Sequence, residues 1–123
     1  MGLYKSVISF VLVYCFCLPN YAKETKAFVD LVIGTYTEGN SEGVYTTTLD
    51  LSSGKLSPAQ LAFKGKDPTY LAISKKNIVY GAFRENGGQL SALQRKNGQF
   101  DLVNQAYIQG DDPCYISLSP NDQ

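Results

Sequence analysis

The stretch that decides the fold occurs twice, as DPTYLAIS at 67–74 and as DPCYISLS at 112–119. Asp, Pro, Tyr and Ser recur in register, and the two start positions lie 45 residues apart. In each copy a turn-forming Asp-Pro pair precedes a short apolar run, which a polar turn ends. A repeat of this period is typical of the four-stranded blade of a β-propeller. Such repeat units bury their core only by stacking on neighbouring units. We call the two copies the first and second DPxY stretches.

Short β-branched and aromatic segments between turn signals fill the remainder of each period. They predict strands at 28–36, 43–51, 56–63, 70–74, 78–83, 89–94 and 100–108. GTYTE at 34–38 and GAFRE at 81–85 form a second repeated pair, 47 residues apart. A helical pattern of 10–15 residues is missing from the sequence, which disfavours a βαβ fold and leaves a β-sandwich as the alternative. The in-register repeat favours an all-β propeller.

The strand series predicts how much of a propeller the chain contains. The strand at 70–74 is the innermost of a full blade, and the three earlier strands correspond to the second, third and fourth of a blade. In closed propellers such a gap is commonly filled by the other end of the chain, which removes a free sheet edge. We therefore expect residues 23–123 to be the N-terminal part of a truncated propeller of about seven blades. They would need the remaining blades as partners and be inactive alone.

The N-terminus has the pattern of an export signal. Lys5 supplies a positive charge, an apolar run of 12 residues covers 7–18, and Ala22 is a plausible last residue before cleavage. The run is too short to span a bilayer comfortably. We predict a signal peptide at 1–22 and an exported protein, periplasmic or extracellular, without stable membrane anchoring after cleavage. A hydrophobic N-terminal strand or helix is the alternative.

Composition excludes several function classes. Eleven basic and eleven acidic residues give zero formal charge, so there is no basic surface for nucleic acid. The absence of His excludes Ser-His-Asp and Cys-His catalysis and His-ligated zinc within this chain. Cys114 is the sole cysteine after the predicted signal, so no disulfide forms within this segment. Glu38, Asn40 and Glu42 lack the spacing of a calcium loop, and neither a metal nor a cofactor is predicted.

Five short motifs in order resemble the seven-bladed β-propeller lactonase family of the 6-phosphogluconolactonase type. They cover nearly everything after the predicted signal and read IGTYT at 33–37, GVY at 43–45, PTYLAIS at 68–74, GGQLSAL at 87–93 and GDDPCYISLS at 110–119. The resemblance implies that the full protein is a hydrolase of carbohydrate metabolism. Its small-molecule substrate would be a sugar lactone, opened to the aldonic acid. A secreted propeller that binds a partner without catalysis is the alternative, since one fold supports many functions.

The resemblance also suggests catalytic residues. Many relatives carry His where Tyr115 stands, and a Tyr with an ordinary pKa near 10 is a poor base at neutral pH, so Tyr115 would orient substrate or water. Glu85 is the candidate base, and Arg84 the candidate stabiliser of the developing oxyanion. Adjacent strand residues point to opposite faces, so at most one of these two would face a given site. A solvated turn is the plainer explanation of both.

Four further residues have weaker assignments. Thr35 and Thr37 are candidates for binding substrate hydroxyls, although exposed strand threonines are common. Asp67 and Asp112 precede Pro at equivalent repeat positions, which favours a turn-forming role over chemistry. Export adds one constraint on function, because a phosphorylated lactone is a cytoplasmic substrate. A plain lactone, or a related ring-opening or ring-closing reaction, is then an alternative substrate or reaction.

Overall fold

A computed structural model describes residues 27–121 and shows seven strands in two antiparallel sheets. The predicted signal at 1–22 lies outside the described residues. The strands are β1 (Phe28–Gly34), β2 (Gly43–Asp50), β3 (Gln60–Lys64), β4 (Pro68–Ile73), β5 (Ile78–Phe83), β6 (Gln89–Lys96) and β7 (Gln99–Tyr107). Their order is β1-β2-β3 in the first sheet and β4-β5-β6-β7 in the second. The all-β prediction is confirmed, and the two sheets are consecutive blades.

Most predicted strand ends agree with the structure within two residues, and two predictions differ by more. The third strand begins at Gln60 rather than at position 56, and Leu56 makes only an isolated bridge to Leu49. Pro58 lies between Leu56 and Gln60 and has no N–H to donate to a ladder. The apolar run of the second DPxY stretch, which the repeat predicts to be the first strand of a further blade, pairs with none of the seven strands and is not a strand in the described part of the chain.

The core lies between the two sheets. It is formed by apolar side chains from both, namely Val44, Ala62, Val79, Phe83, Leu93 and Phe100. Phe83 is almost fully buried and meets the ring of Phe63 edge-on, with centroids 5.9 Å apart. A Cβ at Gly65 or Gly81 would lie 2.7 or 2.5 Å from the Phe83 ring. Glycine at these two positions therefore makes room for the aromatic ring.

Contacts at both ends fix how one blade sits on the next. At one end a Cβ on Gly34 would lie 2.8 Å from the carbonyl oxygen of Pro68, so the backbones of β1 and β4 approach closely. At the other end Nη1 of Arg95 donates to Oδ2 of Asp30 at 2.7 Å. The Gly34 end carries the site described next.

Candidate functional site

Four chain segments meet where β1 and β5 end and β4 begins. They are the loop after β1, the turn before β4, the turn after β5 and the start of the second DPxY stretch. Together they surround an open pocket of about 570 Å³, lined by Thr37, Glu38, Lys66, Asp67, Arg84, Gly87, Asp111 and Asp112. We call it the DPxY pocket, because the Asp of each DPxY stretch contributes to its wall.

Asp67 joins the first blade to the innermost strand of the second. Its φ of +44° is left-handed, a conformation that Asp adopts more readily than most residues. The side chain is buried, and Oδ1 accepts hydrogen bonds from the backbone N–H of Thr37 at 2.7 Å and from its hydroxyl at 2.8 Å. These two bonds hold the pKa of the Asp67 carboxyl below its usual value, with a smaller contribution from the charge of Arg84.

Asp112 is held by an arginine in a corresponding way. Nε and Nη2 of Arg84 donate to the two carboxylate oxygens of Asp112, the Nη2 bond measuring 2.7 Å. Such a two-bond pair fixes the guanidinium plane. It lowers the pKa of Asp112 and raises that of Arg84. The guanidinium carbon also lies 5.8 Å from the ring centroid of Tyr36, within cation–π distance.

The two carboxylate contacts are repeats of one junction. Thr37 and Arg84 occupy the same position of GTYTE and GAFRE, and Asp67 and Asp112 occupy the same position of the DPxY stretches. Asp67 accepts hydrogen bonds from Thr37, which follows β1, through a hydroxyl and a backbone N–H. Asp112 accepts them from Arg84, which follows β5, through a guanidinium. The sequence contains a pattern that predicts this junction, because the GTYTE–GAFRE pair and the two DPxY stretches recur at nearly the same offset, 47 and 45 residues.

The two DPxY stretches also contact each other. The hydroxyl of Thr69 donates a hydrogen bond to the carbonyl oxygen of Pro113. The rings of Tyr70 and Tyr115 lie with centroids 4.8 Å apart. Tyr115 remains 69% exposed in this pair. The second stretch is thus fixed against the first beside the pocket, and Tyr115 is not among the residues that line the pocket.

The structure brings two of the five candidate site residues into the DPxY pocket. Arg84 and Thr37 line it, whereas Glu85 does not, although it follows Arg84 directly. Thr35 also lies outside the lining. Its hydroxyl donates to the carbonyl oxygen of Gly43 at 2.7 Å and accepts from the hydroxyl of Ser41 at 2.6 Å, so it holds the loop after β1.

Besides Asp67 and Asp112, which were interpreted as turn residues, three charged lining residues were not predicted as site residues, namely Glu38, Lys66 and Asp111. Glu38 occupies the same repeat position as Glu85, so the repeat could have identified it as a candidate.

The pocket carries four carboxylates and two cations, a net charge of −2. Within residues 27–121, no cluster of three or more His, Cys, Asp or Glu side chains could hold a metal ion. The same residues contain no helix long and apolar enough to cross a membrane.

Replacing Thr37 by Val should destabilise the protein at pH 7 and much less at about pH 3. The pKa of Asp67 is lower in the folded than in the unfolded protein, so its ionised form stabilises the fold above the unfolded value near 3.9. That contribution is lost as the pH falls through the folded pKa. Valine removes the hydroxyl donor and keeps the backbone donor, so the contribution shrinks. Thermal unfolding midpoints at the two pH values measure the difference.

Thr37→Ser is the control for this prediction, because it retains the hydroxyl and loses only a methyl group. It should behave like the wild type at both pH values. An equal loss in the Val variant at pH 7 and at about pH 3 would contradict the role of the Asp67 charge, since lost packing does not depend on pH.

Comparison with known proteins agrees with the predicted repeat fold. Residues 30–123 match the model of the family described as lactonase, 7-bladed beta-propeller. Over 95 residues the chain is 38% identical to a 6-phosphogluconolactonase of Bacillus subtilis (strain 168). This alignment includes 74% of the chain and 27% of the relative. The chain thus spans about a quarter of the length of the curated relatives that it matches.

Solved structures show the same fold. A protein from Lactobacillus plantarum superposes with a TM-score of 0.69 and 30% identity, over 75% of the chain and 27% of that structure. A candidate 6-phosphogluconolactonase from Bacteroides uniformis gives a TM-score of 0.66, also at 30% identity, over 75% of the chain and 28% of that structure. In both cases the two blades match a little more than a quarter of the solved chain.

Proposed function

Because the chain belongs to the seven-bladed β-propeller lactonase family, we propose that the whole protein hydrolyses a sugar lactone to its aldonic acid. The DPxY pocket would form part of the substrate site. The observation that carries this assignment is the convergence of both repeated stretches on one pocket, which holds an oriented guanidinium beside several carboxylates. These are the two kinds of group that lactone hydrolysis requires.

The reaction begins when water attacks the lactone carbonyl carbon while a base takes one proton from the water. Negative charge develops on the carbonyl oxygen and must be stabilised. The ring C–O bond then breaks as the protonated base returns its proton to the former ring oxygen, which leaves as a hydroxyl group. The carboxylic acid so formed loses its proton to solvent at neutral pH. Arg84 suits the stabilising role, because its pair with Asp112 fixes the guanidinium and leaves further N–H groups to donate.

The base would come from the carboxylates that are not already hydrogen-bonded. Asp67 and Asp112 have lowered pKa values through their bonds to Thr37 and Arg84, so they are weak bases. Glu38 and Asp111 line the same pocket, and within residues 27–121 neither carboxylate accepts a hydrogen bond. We assign the base role to Glu38, with Asp111 accepting substrate hydroxyls. Glu85 and Tyr115 lie outside the lining and remain predictions from the family resemblance.

The test is hydrolysis of sugar lactones, both plain and phosphorylated, by the whole protein, with acid release followed by a pH indicator. We expect a rate above the spontaneous one for at least one lactone, and a loss of most of that rate in Glu38→Gln. Glu42→Gln is the matched control, because Glu42 is an exposed carboxylate that pairs with Lys64 and does not line the pocket, and it should retain the rate. If the protein hydrolyses no lactone above the spontaneous rate, the lactonase assignment is wrong. The function of a non-catalytic binding module is then the better supported one.

Export of the protein remains a separate proposal, supported by the charged, apolar and small-residue pattern of positions 1–22. It would place the enzyme away from cytoplasmic phosphorylated lactones.

A further inference from the structure

We propose that Tyr36 is a positioning residue for Arg84, and that its ring helps to keep the guanidinium aimed at the developing oxyanion. This inference rests on the proposed lactonase function and adds a residue to the same site. Tyr36 does not line the DPxY pocket, so it acts through Arg84 rather than by touching the substrate.

The guanidinium of Arg84 lies over the aromatic ring of Tyr36. Its central carbon is 5.8 Å from the ring centroid, a distance at which the negative face of an aromatic ring attracts a cation. Tyr36 is 61% exposed in the described part of the chain, so burial does not account for the position of its ring. Phe83, at the same position of the repeat, is 1% exposed and belongs to the core. The ring at this repeat position therefore makes a different kind of contact in the first blade.

The backbone around Tyr36 is anchored on both sides. Before it, the hydroxyl of Thr35 donates to the carbonyl oxygen of Gly43 at 2.7 Å. After it, the backbone N–H and the hydroxyl of Thr37 both donate to the carboxylate of Asp67. Tyr36 thus presents its ring from a fixed segment of the first blade, although the residue itself is exposed.

Tyr36 and Asp112 hold the same guanidinium from two separate segments. Asp112 accepts hydrogen bonds from Nε and Nη2 along one edge of the group, and so fixes the guanidinium relative to itself. Asp112 belongs to the second DPxY stretch, which forms no ladder with any described strand. The ring of Tyr36 comes from the first blade, so its restraint on the guanidinium does not depend on that stretch.

The orientation of this guanidinium matters because the oxyanion exists only during the reaction, and its donors must already point at it. A displacement of about 1 Å in such a site can cost about 10²-fold in rate. Removing the ring of Tyr36 leaves the pair with Asp112 in place, so only part of the orientation is lost. We therefore expect a moderate decrease in kcat and little change in KM.

The experiment measures kcat and KM of the whole protein on the sugar lactone, plain or phosphorylated, that the wild type hydrolyses fastest. Tyr36→Leu should lower kcat about two- to fivefold, the range for an exposed cation–π contact, and leave KM near the wild-type value. Tyr36→Phe keeps the ring and should retain kcat. In an Arg84→Met background, Tyr36→Leu should cause no further loss, because the group that it positions is gone.

Tyr107→Leu is the matched control, because Tyr107 is similarly exposed, at 59%, and does not line the pocket. It should leave both kcat and KM unchanged. Three results would each overturn this inference and leave the lactonase function standing. They are an unchanged kcat in Tyr36→Leu, a loss in Tyr36→Phe as large as in Tyr36→Leu, and an equal effect of Tyr36→Leu with and without Arg84. If the wild type hydrolysed no sugar lactone above the spontaneous rate, the lactonase function would be wrong, and this inference with it.

Discussion

Replacing Phe83 by Ala is expected to lower the free energy of unfolding by about 3–5 kcal/mol. Phe83 is 1% exposed and lies at the centre of the core between the two blades. Its ring contacts Phe63 and lies against two glycines that have no side chain to move into the space it leaves. The surrounding backbone can collapse only partly, so the substitution leaves a cavity. Urea unfolding followed by far-UV circular dichroism measures the loss.

A second substitution tests whether the lost space is the cause. A Cβ at Gly81 would lie 2.5 Å from the Phe83 ring, so Gly81→Ala alone should destabilise the protein by about 1–3 kcal/mol through overpacking. In the Phe83→Ala background the new methyl group enters the vacated space. The double variant should therefore be more stable than the sum of the single effects predicts. Strict additivity would contradict this account of the core.

Much of the fold could be predicted because the sequence repeats its own local signals. The strand at 78–83 was predicted with the bounds that β5 has, and the family resemblance drawn from five motifs is confirmed by the family match. The third strand was predicted too early, because Leu56 before Pro58 fitted the strand pattern but forms only an isolated bridge to Leu49. A strand depends on a backbone ladder with a neighbouring strand, and the second DPxY stretch forms no such ladder with any of the described strands.

The site could be predicted only in part, because it is assembled from loops that are distant in the chain. Arg84 was predicted as an oxyanion stabiliser and Thr37 as a binder of substrate hydroxyls, and both line the pocket. Asp67 was interpreted as a turn residue, and its bonds to Thr37 span 30 positions, beyond the reach of any turn pattern. Lys66 and Asp111 flank the Asp-Pro pairs and carry no pattern of their own. Their role follows only from the pocket geometry.

Replacing Arg84 by Met should reduce lactonase kcat/KM by about 10²-fold in the whole protein. The substitution removes the proposed donor to the developing oxyanion and also releases Asp112 from its two-bond pair. Because the oxyanion exists only during the reaction, the loss should appear mainly in kcat. Arg84→Lys keeps the charge but cannot reproduce the planar two-bond contact, so it should recover only part of the activity. Steady-state kinetics on the preferred lactone measure both effects.

The matched control is Arg95→Met, because Arg95 also pairs with a carboxylate of another segment. Its Nη1 lies 2.7 Å from Oδ2 of Asp30, near the ends of the blades that are remote from the pocket. Both side chains of that pair are more than two-fifths exposed, so its loss should cost little stability. We expect kcat/KM of Arg95→Met to stay near the wild-type value. If the two Met variants lost activity equally, Arg84 would act only through its structural contact with Asp112, and its place in the chemistry would be wrong.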